Sequence, residues 1–464
     1  MNDKLLWAPQ AWVDGKWQTG VCLRIGATGA WTDVTSSVYA PPAGASVLPG
    51  PALPGLVNAH SHAFQRAFAG LSERRETDSD DFWTWRDRMY GVALRITSDE
   101  MRAVAAHLYV ELLKGGYTQV CEFHYLHHAE DGRAYDDPAE LSWALADASA
   151  DADIGLTLLP VLYERAGFTQ PALRDDQRRF GSTPALVHNI YRAAKSSGRA
   201  LLNTGVAIHS LRAASSHAIT ELLRMMRTED VPIHIHVAEQ IQEVDDCLAA
   251  TGMRPIELLC RQFQPDERWQ LVHATHASAG EIESVARSGA GIVICPSTEG
   301  NLGDGLIDLP AWLAANVPMA IGSDSHVSRS WAEELRWLEY GQRLKLGRRN
   351  VAAAPASGQP STAARLFNAA LDGGRRAAGA SHWGFTKGAR ADAVVLDTRA
   401  AGLLGVPASH TLDALVFAGN ESAVREVYVA GERVVTDARH LEEDRIAARF
   451  GEVMDSLWAQ ASKD

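Results

Sequence analysis

The sequence has few cysteines, no long apolar run and a deficit of basic residues. Its five cysteines are scattered over 464 residues without a C-x-x-C spacing, which excludes a disulfide framework and favours a reducing compartment. No apolar run approaches the ~18 residues that a membrane span needs, and the start, MNDKLLWAPQAWVDGKW, has no signal-peptide core. The net charge of −13 argues against nucleic-acid and anionic-membrane partners.

Short apolar runs recur through the middle of the chain, and helical stretches separate them. These runs are apolar on both faces, as buried parallel strands are. The repeated strand–helix alternation predicts an α/β fold, a (β/α)8 TIM-like barrel. The predicted barrel strands are residues 53–59, 118–123, 155–162, 204–210, 231–237, 269–274, 290–296 and 317–323.

The two chain ends have a different pattern from the barrel segment. Residues 1–52 and 386–440 contain short alternating runs broken by Gly and Pro, which is typical of antiparallel strands. We predict that both ends pair into one small β-sandwich domain beside a barrel at residues 53–385. Residues 441–464 are predicted to form a C-terminal helix.

Ligand-type side chains follow several predicted strands directly. LVNAHSH carries His60 and His62, VPIHIHVAE carries His234, His236 and Glu239, QLVHATH carries His273 and His276, and AIGSDSH carries Asp324 and His326. Because the carboxyl ends of barrel strands share one rim, we expect these side chains to converge there. Imidazole and carboxylate groups can hold a divalent metal. One H-x-H pair could be two surface histidines, but ligand types at four strand ends favour a metal site.

Four segments, LPGLVNAHSH, HIHVAE, LVHATH and AIGSDS, together resemble the amidohydrolase superfamily of metal-dependent deaminases and hydrolases. GARADAVVLD resembles the segment that returns to the small β-domain of that superfamily. The resemblance implies one divalent metal per chain, Zn²⁺ in first place with Fe²⁺ as the alternative, held by His60, His62, His236 and Asp324. The bridging lysine of two-metal members is absent after the fourth strand, where the chain reads HSL.

Glu239 and His273 are the candidate catalytic residues. Glu239 is predicted to carry a proton from the attacking water to the departing nitrogen, the alternative being an acid at a helix N-terminus. His273 is predicted to hydrogen-bond the oxygen of the tetrahedral intermediate, with His276 as the competing candidate. His234 and His326 are expected to support the site rather than bind the metal.

Three segments, HSHAFQRA, CPSTEGNLGDG and AIHSLRA, resemble the branch of the superfamily that deiminates a linear N-formimidoyl dicarboxylate in histidine catabolism. Such a substrate needs cationic donors, and Arg212 beside His209 is the candidate carboxylate clamp, although an arginine after a strand is often a solvated surface residue. The resemblance adds Gln65 and Tyr125 to the pocket. Arg86, in DDFWTWRDRMYG, could reach a carboxylate from a lid, or this segment could be a surface helix or a dimer contact.

Two other functions stay open from the residues. A deaminase for a guanine, cytosine or adenosine-type substrate would share the metal site but would not need a carboxylate clamp. A non-enzymatic binding protein on the same barrel would not need an intact catalytic set. We predict a cytoplasmic, homodimeric enzyme that acts on a small dicarboxylate amidine, without nucleic-acid or membrane partners.

Overall fold

The structure, a computed structural model, describes residues 4–74, 82–419 and 423–461. Two sheets organise these residues, one parallel and one mostly antiparallel. The strands in chain order are β1 (Lys4–Val13), β2 (Lys16–Ile25), β3 (Trp31–Thr35), β4 (Ser46–Val47), β5 (Ala52–Leu53), β6 (Leu56–Ser61), β7 (Tyr117–His124), β8 (Gly155–Leu162), β9 (Leu202–Thr204), β10 (Val206–Ser210), β11 (Ile233–Val237), β12 (Trp269–His273), β13 (Gly291–Ile294), β14 (Met319–Ile321), β15 (Ala393–Leu396), β16 (Val424–Val429), β17 (Glu432–Thr436) and β18 (Arg439–His440).

Helices separate the strands of the parallel sheet and surround it. The α-helices in chain order are α1 (Phe82–Ala93), α2 (Ser98–Lys114), α3 (Glu140–Asp151), α4 (Pro184–Ser196), α5 (Ser216–Met225), α6 (Ile241–Thr251), α7 (Pro255–Phe263), α8 (Ala279–Ser288), α9 (Pro296–Leu302), α10 (Leu309–Ala314), α11 (Trp331–Leu346), α12 (Thr362–Ala377), α13 (Thr411–Phe417) and α14 (Glu443–Ala461).

The parallel sheet is the predicted (β/α)8 barrel, and this prediction is confirmed. Its strands follow the order β6-β7-β8-β10-β11-β12-β13-β14, and a parallel bridge between Ser61 and Asp324 joins the last strand to the first. All eight predicted barrel strands are present, with limits that shift by a few residues. The short strand β9 is an addition that pairs with β8 outside the ring.

The residues at both ends of the helix α2 explain where it begins and ends. The Thr97 side chain accepts the backbone N–H of Glu100, while the Glu100 carboxylate accepts the N–H of Thr97. This reciprocal pair satisfies two otherwise unpaired donors at the helix start. At the other end, Gly116 has a φ of 89°, a left-handed conformation that favours glycine, and β7 starts directly afterwards.

Both chain ends contribute to the antiparallel sheet, as predicted. The strands follow the order β18-β17-β16-β15-β5-β1-β2-β3, with β4 paired to β1. Apolar residues from both ends, including Trp31 and Phe385, share one buried core on this sheet. The domain limits at residues 52, 386 and 440 stay a prediction.

The helix α1 comes from the segment that the sequence offered as a lid or a surface helix. It places Arg86, Met89 and Tyr90 against the mouth of the barrel. Residues 75–81 of the same segment lie outside the described residues. Among the helices that the structure describes, none is long and apolar enough to cross a membrane.

Candidate active site

The strand ends turn five ligand-type side chains toward the barrel axis. His60 lies near the end of β6, His62 directly follows that strand, His236 lies on β11, and His273 ends β12. Asp324 follows β14. The backbone of His273 and that of Asp324 have φ values of 70° and 49°, a region that residues other than glycine seldom adopt. Such local strain is common where a protein aims functional side chains.

Four of these side chains form a compact cluster. The Nε2 atoms of His60 and His236 lie 3.0 Å apart. The Asp324 Oδ1 atom lies 3.5 Å from His60 Nε2 and 3.4 Å from His62 Nε2. Two nitrogen ligands on one tetrahedral zinc ion lie about 3.3 Å apart, given Zn–N bonds of about 2.0–2.1 Å. The ligand atoms of His60, His62 and Asp324 lie within 4.8 Å of one another, and so do those of His60, His236 and His273. His60 therefore joins two overlapping groups, each with the dimensions of a metal site.

The protonation of His62 indicates that a cation belongs between these side chains. Its Nδ1 lies 2.9 Å from the Phe123 carbonyl oxygen, which can only accept, so Nδ1 carries the proton. The Nε2 lone pair then faces the Asp324 carboxylate. Burial lowers the pKa of His62, so a second ring proton is disfavoured. The lone pairs of His62 Nε2 and Asp324 Oδ1 thus face each other with no proton between them. A divalent metal ion between the two atoms would accept both lone pairs.

The other members of the cluster have protonation states that suit metal ligands. Burial lowers the pKa of His60 to about 3 and that of His236 well below its usual value, which leaves both rings neutral. Burial alone would raise the pKa of Asp324, but a hydrogen bond from His60 and the nearby histidines hold it below its usual range. Three neutral imidazoles and one carboxylate form a donor set for Zn²⁺ or Fe²⁺.

His273 bridges this cluster and a group of buried carboxylates. Its Nε2 lies 3.7 Å from Glu239 Oε1 and 3.8 Å from Asp324 Oδ2, while its Nδ1 lies 3.3 Å from Glu299 Oε1. Burial alone would lower the pKa of His273, but these carboxylates, led by Glu239, raise it to about 10. Burial raises the pKa of Glu239. A cationic donor and a carboxyl group thus face the same space.

The competing candidate His276 points away from this space. Its Nε2 lies 2.8 Å from the backbone oxygen of Asp304, outside the pocket lining. Asp304 and Glu299 are buried beside the cluster, and the sequence analysis did not assign them a role. Both residues lie in the CPSTEGNLGDG segment. The sequence analysis used this segment as a whole for the family resemblance and did not single out its carboxylates.

His234 and His326 lie outside the pocket, as expected for supporting residues. The Nε2 of His234 lies 2.9 Å from the carbonyl oxygen of Ala377 at the end of α12. His326 is buried and contacts two serine hydroxyls, Ser61 Oγ at 3.4 Å and Ser323 Oγ at 2.9 Å. Neither ring lines the pocket.

All five predicted substrate-binding residues line one pocket above the cluster: Gln65, Arg86, Tyr125, His209 and Arg212. The Gln65 side-chain amide donates to the Tyr125 hydroxyl at 3.1 Å, and its carbonyl oxygen is buried with no hydrogen-bond partner among the described residues. The sequence analysis missed the apolar and aromatic walls of this pocket. Those walls consist of Trp85, Met89, Tyr90, Tyr163, Phe180 and Leu302.

Two arginine side chains line the same pocket as the cluster. Within the described residues, no hydrogen bond or ion pair engages the guanidinium of Arg212. Burial would lower the pKa of Arg212, but the Glu243 carboxylate and other nearby groups raise it, so the charge is kept. Arg86 lies over the Tyr90 ring, with its guanidinium carbon 5.5 Å from the ring centroid. These guanidinium groups can bind a ligand carboxylate.

Comparison with known proteins places this site in a family. The profile of the amidohydrolase family matches residues 52–434. The chain is 44% identical over 456 residues to formimidoylglutamate deiminase of Pseudomonas aeruginosa, covering 97% of this chain and 99% of that protein. It is 29% identical over 386 residues to 5-methylthioadenosine/S-adenosylhomocysteine deaminase of Natronomonas pharaonis, covering 83% of this chain and 81% of that protein.

A solved structure agrees with these relatives over almost the whole chain. The crystal structure of an amidohydrolase from Brucella melitensis superposes with a TM-score of 0.92 at 40% identity, covering 98% of this chain and 100% of that chain. The strand order, the His and Asp cluster at the barrel rim and the extent of these matches lead to one conclusion. The chain belongs to the amidohydrolase family.

Proposed function

We propose that this protein hydrolyses N-formimidoyl-L-glutamate to N-formyl-L-glutamate and ammonia, a reaction of histidine catabolism. Membership in the amidohydrolase family makes it a hydrolytic enzyme and argues against a non-enzymatic binding protein. The observation that carries the substrate proposal is the Arg212 guanidinium, which lines the pocket beside the His and Asp cluster and has no hydrogen bond or ion pair with any described residue. The 44% identity to a formimidoylglutamate deiminase supports the same substrate.

We further propose one Zn²⁺ ion per chain, held by His60, His62, His236 and Asp324. The short distances between their ligand atoms and the lone pairs that face each other support this donor set. A divalent metal bound there lowers the pKa of a coordinated water and so supplies a nucleophile near neutral pH.

Proton movement is assigned to Glu239. Its carboxyl group is buried and its raised pKa suits a group that both accepts and returns a proton near neutral pH. Glu239 would take a proton from the attacking water and deliver it to the terminal amidine nitrogen. In a second transfer Glu239 moves the hydroxyl proton of the tetrahedral adduct to the same nitrogen, the carbon–nitrogen bond breaks, ammonia leaves and the formyl oxygen remains on the product.

His273 is assigned to the oxygen that bonds to the formimidoyl carbon. Its Nδ1 is oriented by Glu299 at 3.3 Å, which aims the protonated Nε2 toward Glu239 and Asp324. A preorganised cationic donor stabilises negative charge that develops on that oxygen in the transition state.

The two substrate carboxylates are assigned to the cationic and polar side chains of the pocket. Arg212 offers a planar pair of donors that can bind one carboxylate bidentately. Arg86 from α1, the Gln65 amide, the Tyr125 hydroxyl and His209 complete the polar wall. The aromatic side chains between them exclude water, which strengthens each of these charged contacts.

The substrate proposal predicts a selective loss in the variant Arg212→Ala. Removing one partner of a buried charge pair costs about 2–5 kcal/mol, so kcat/KM for N-formimidoyl-L-glutamate should fall roughly 30- to 4,000-fold at 1.36 kcal/mol per tenfold. Glutamate-like dicarboxylates should inhibit the native enzyme but not the variant. Ammonia release at varied substrate concentration provides both measurements.

Two comparisons test whether Arg212 binds the substrate itself. Formamidine, which has no carboxylate, should react equally in both proteins if it is turned over, and Arg212→Lys should keep part of the activity because it keeps the charge. Equal slowing of charged and uncharged amidines would instead assign Arg212 to the structure of the pocket. Faster turnover of guanine, cytosine or an adenosine derivative by the native enzyme would contradict the substrate assignment and leave the family assignment intact.

We also propose that the enzyme is cytoplasmic and homodimeric. The five cysteines are all free thiols, four of them buried, which fits a reducing compartment. Light scattering coupled to size exclusion would measure the number of subunits directly.

A further inference from the structure

The barrel closes between β6 and β14, and this junction, here called the seam, has the fewest paired residues of the described ring. Three of the candidate metal ligands lie at the seam. Between β6 and β14 the described residues form one bridge, Ser61 with Asp324, whereas neighbouring strands elsewhere in the ring pair through two or more residues. His60 and His62 lie on one side of this seam and Asp324 lies on the other. The separation of the two walls therefore sets the distances between ligand atoms.

A buried carboxylate on β7 holds one wall of the seam. Glu122 accepts hydrogen bonds from the Ser61 hydroxyl at 2.6 Å and from the Ala63 backbone N–H at 2.6 Å. These two residues flank His62. The Tyr109 hydroxyl donates to the same carboxylate at 3.2 Å. A buried carboxylate is costly unless its oxygens are hydrogen-bonded, so these donors hold the rim segment firmly against it.

A buried histidine links Glu122 to the opposite wall. The Asn58 amide donates to Ser323 Oγ at 2.7 Å, and Ser323 Oγ lies 2.9 Å from His326 Nδ1. His326 Nε2 lies 3.4 Å from Ser61 Oγ. If the Ser323 hydroxyl donates to Nδ1, then Nε2 carries the ring proton and donates to Ser61, which donates to Glu122. Each link has one donor and one acceptor.

We propose that Asn58, Ser61, Glu122, Ser323 and His326, here called the clasp, close the barrel seam and hold His60, His62 and Asp324 at the spacing that one metal ion requires. Glu122 and His326 are then positioning residues. They act through Ser61, the residue between the two histidine ligands and the partner of Asp324 in the only bridge of the described seam. The clasp rests on the proposed metal site.

The chain contains a matched pair of residues that serves as a control. The Ser297 hydroxyl donates to Glu334 Oε1 at 2.6 Å, and the Ser297 N–H donates to the other carboxylate oxygen at 2.9 Å. Both side chains are buried, as Ser61 and Glu122 are. Neither residue shares a hydrogen bond or ion pair with a clasp residue or a candidate ligand, so Ser297→Ala removes the same kind of hydrogen bond without removing a clasp contact.

The test compares Ser61→Ala and Glu122→Gln with Ser297→Ala and Glu334→Gln in the full-length chain. After metal removal, the Zn²⁺ affinity of each protein is measured by competition with a chromophoric chelator, and the unfolding temperature of the metal-free protein is measured separately. We expect the two clasp variants to bind Zn²⁺ about 10- to 100-fold more weakly, the usual cost of losing groups that orient metal ligands. The two control variants should bind Zn²⁺ as the native chain does.

The separate unfolding measurement distinguishes positioning from general stability. Ser61→Ala should lose Zn²⁺ affinity even though its metal-free unfolding temperature stays close to that of Ser297→Ala. Native Zn²⁺ affinity in Ser61→Ala, or an equal loss in Ser297→Ala, would overturn the clasp while leaving the metal site in place. A native chain that binds no Zn²⁺ would overturn the metal site itself and the clasp with it.

Discussion

Replacing His62 with Ala is expected to abolish ammonia release and to reduce the metal content of the purified chain from one ion to almost none. The His62 Nε2 lone pair faces Asp324 Oδ1 at 3.4 Å, so its loss removes one proposed ligand and opens one corner of the site. The barrel should still fold, because its core consists of apolar side chains from the strands and helices. Elemental analysis and circular dichroism measure these two expectations.

Two histidines on β11 provide a control for this result. His236→Ala should lose the metal as His62→Ala does, since His236 Nε2 lies 3.0 Å from His60 Nε2. His234→Ala should keep the metal and should instead lose stability, because the Ala377 carbonyl would be left without its buried partner. An unsatisfied buried group costs about 1–3 kcal/mol. Two metal ions per chain, or full activity without metal, would contradict the single-metal proposal.

Replacing Glu239 with Gln is expected to lower kcat by about 10²- to 10⁴-fold, the usual contribution of a general acid–base group. Glutamine keeps the size of the side chain and can accept a hydrogen bond, but it cannot take the proton from water. Its Oε1 neighbour, His273 Nε2 at 3.7 Å, should stay in place, so the pocket should keep its shape. Steady-state kinetics at saturating substrate measure the effect.

Metal content and inhibitor binding show whether the fall in kcat comes from the proton transfer itself or from a damaged site. Glu239→Gln should retain one metal ion, since the proposed ligands are unchanged. Inhibition by glutamate-like dicarboxylates should also persist, because Arg212 is intact. A loss below about tenfold would assign the proton transfer to another group, and His273 would be the next residue to replace.

The barrel could be predicted from the sequence because parallel buried strands have a local signature. Eight runs that are apolar on both faces alternate with amphipathic helices, and each run became a strand in the order that the ring requires. The start of α2 also has a local sequence signal, because Thr97 and Glu100 form their reciprocal hydrogen bonds within one helical turn. The limits of strands were less certain, and β9 was missed because a three-residue strand has no distinct period.

The sequence by itself determined that ligand-type residues follow strands at one rim, because the carboxyl ends of parallel strands meet there. It could not distinguish His234 from His236 by spacing, since residues two apart on a strand face the same side. The family resemblance chose His236, and the tertiary structure gives the physical reason: two residues advance about 6.6 Å along a strand, so His236 reaches the cluster while His234 meets the end of α12.

The same distinction applies to Glu122, Glu299 and Arg212. Their residue types were visible in the sequence, but their partners are set by elements distant in the chain. Glu122 accepts a hydrogen bond from Ser61 on the neighbouring strand, and Glu299 contacts His273 from α9. Arg212 lines the pocket together with Arg86 of α1. Local pattern determines which residues form each strand end, whereas the closure of the barrel decides which of those ends face one another.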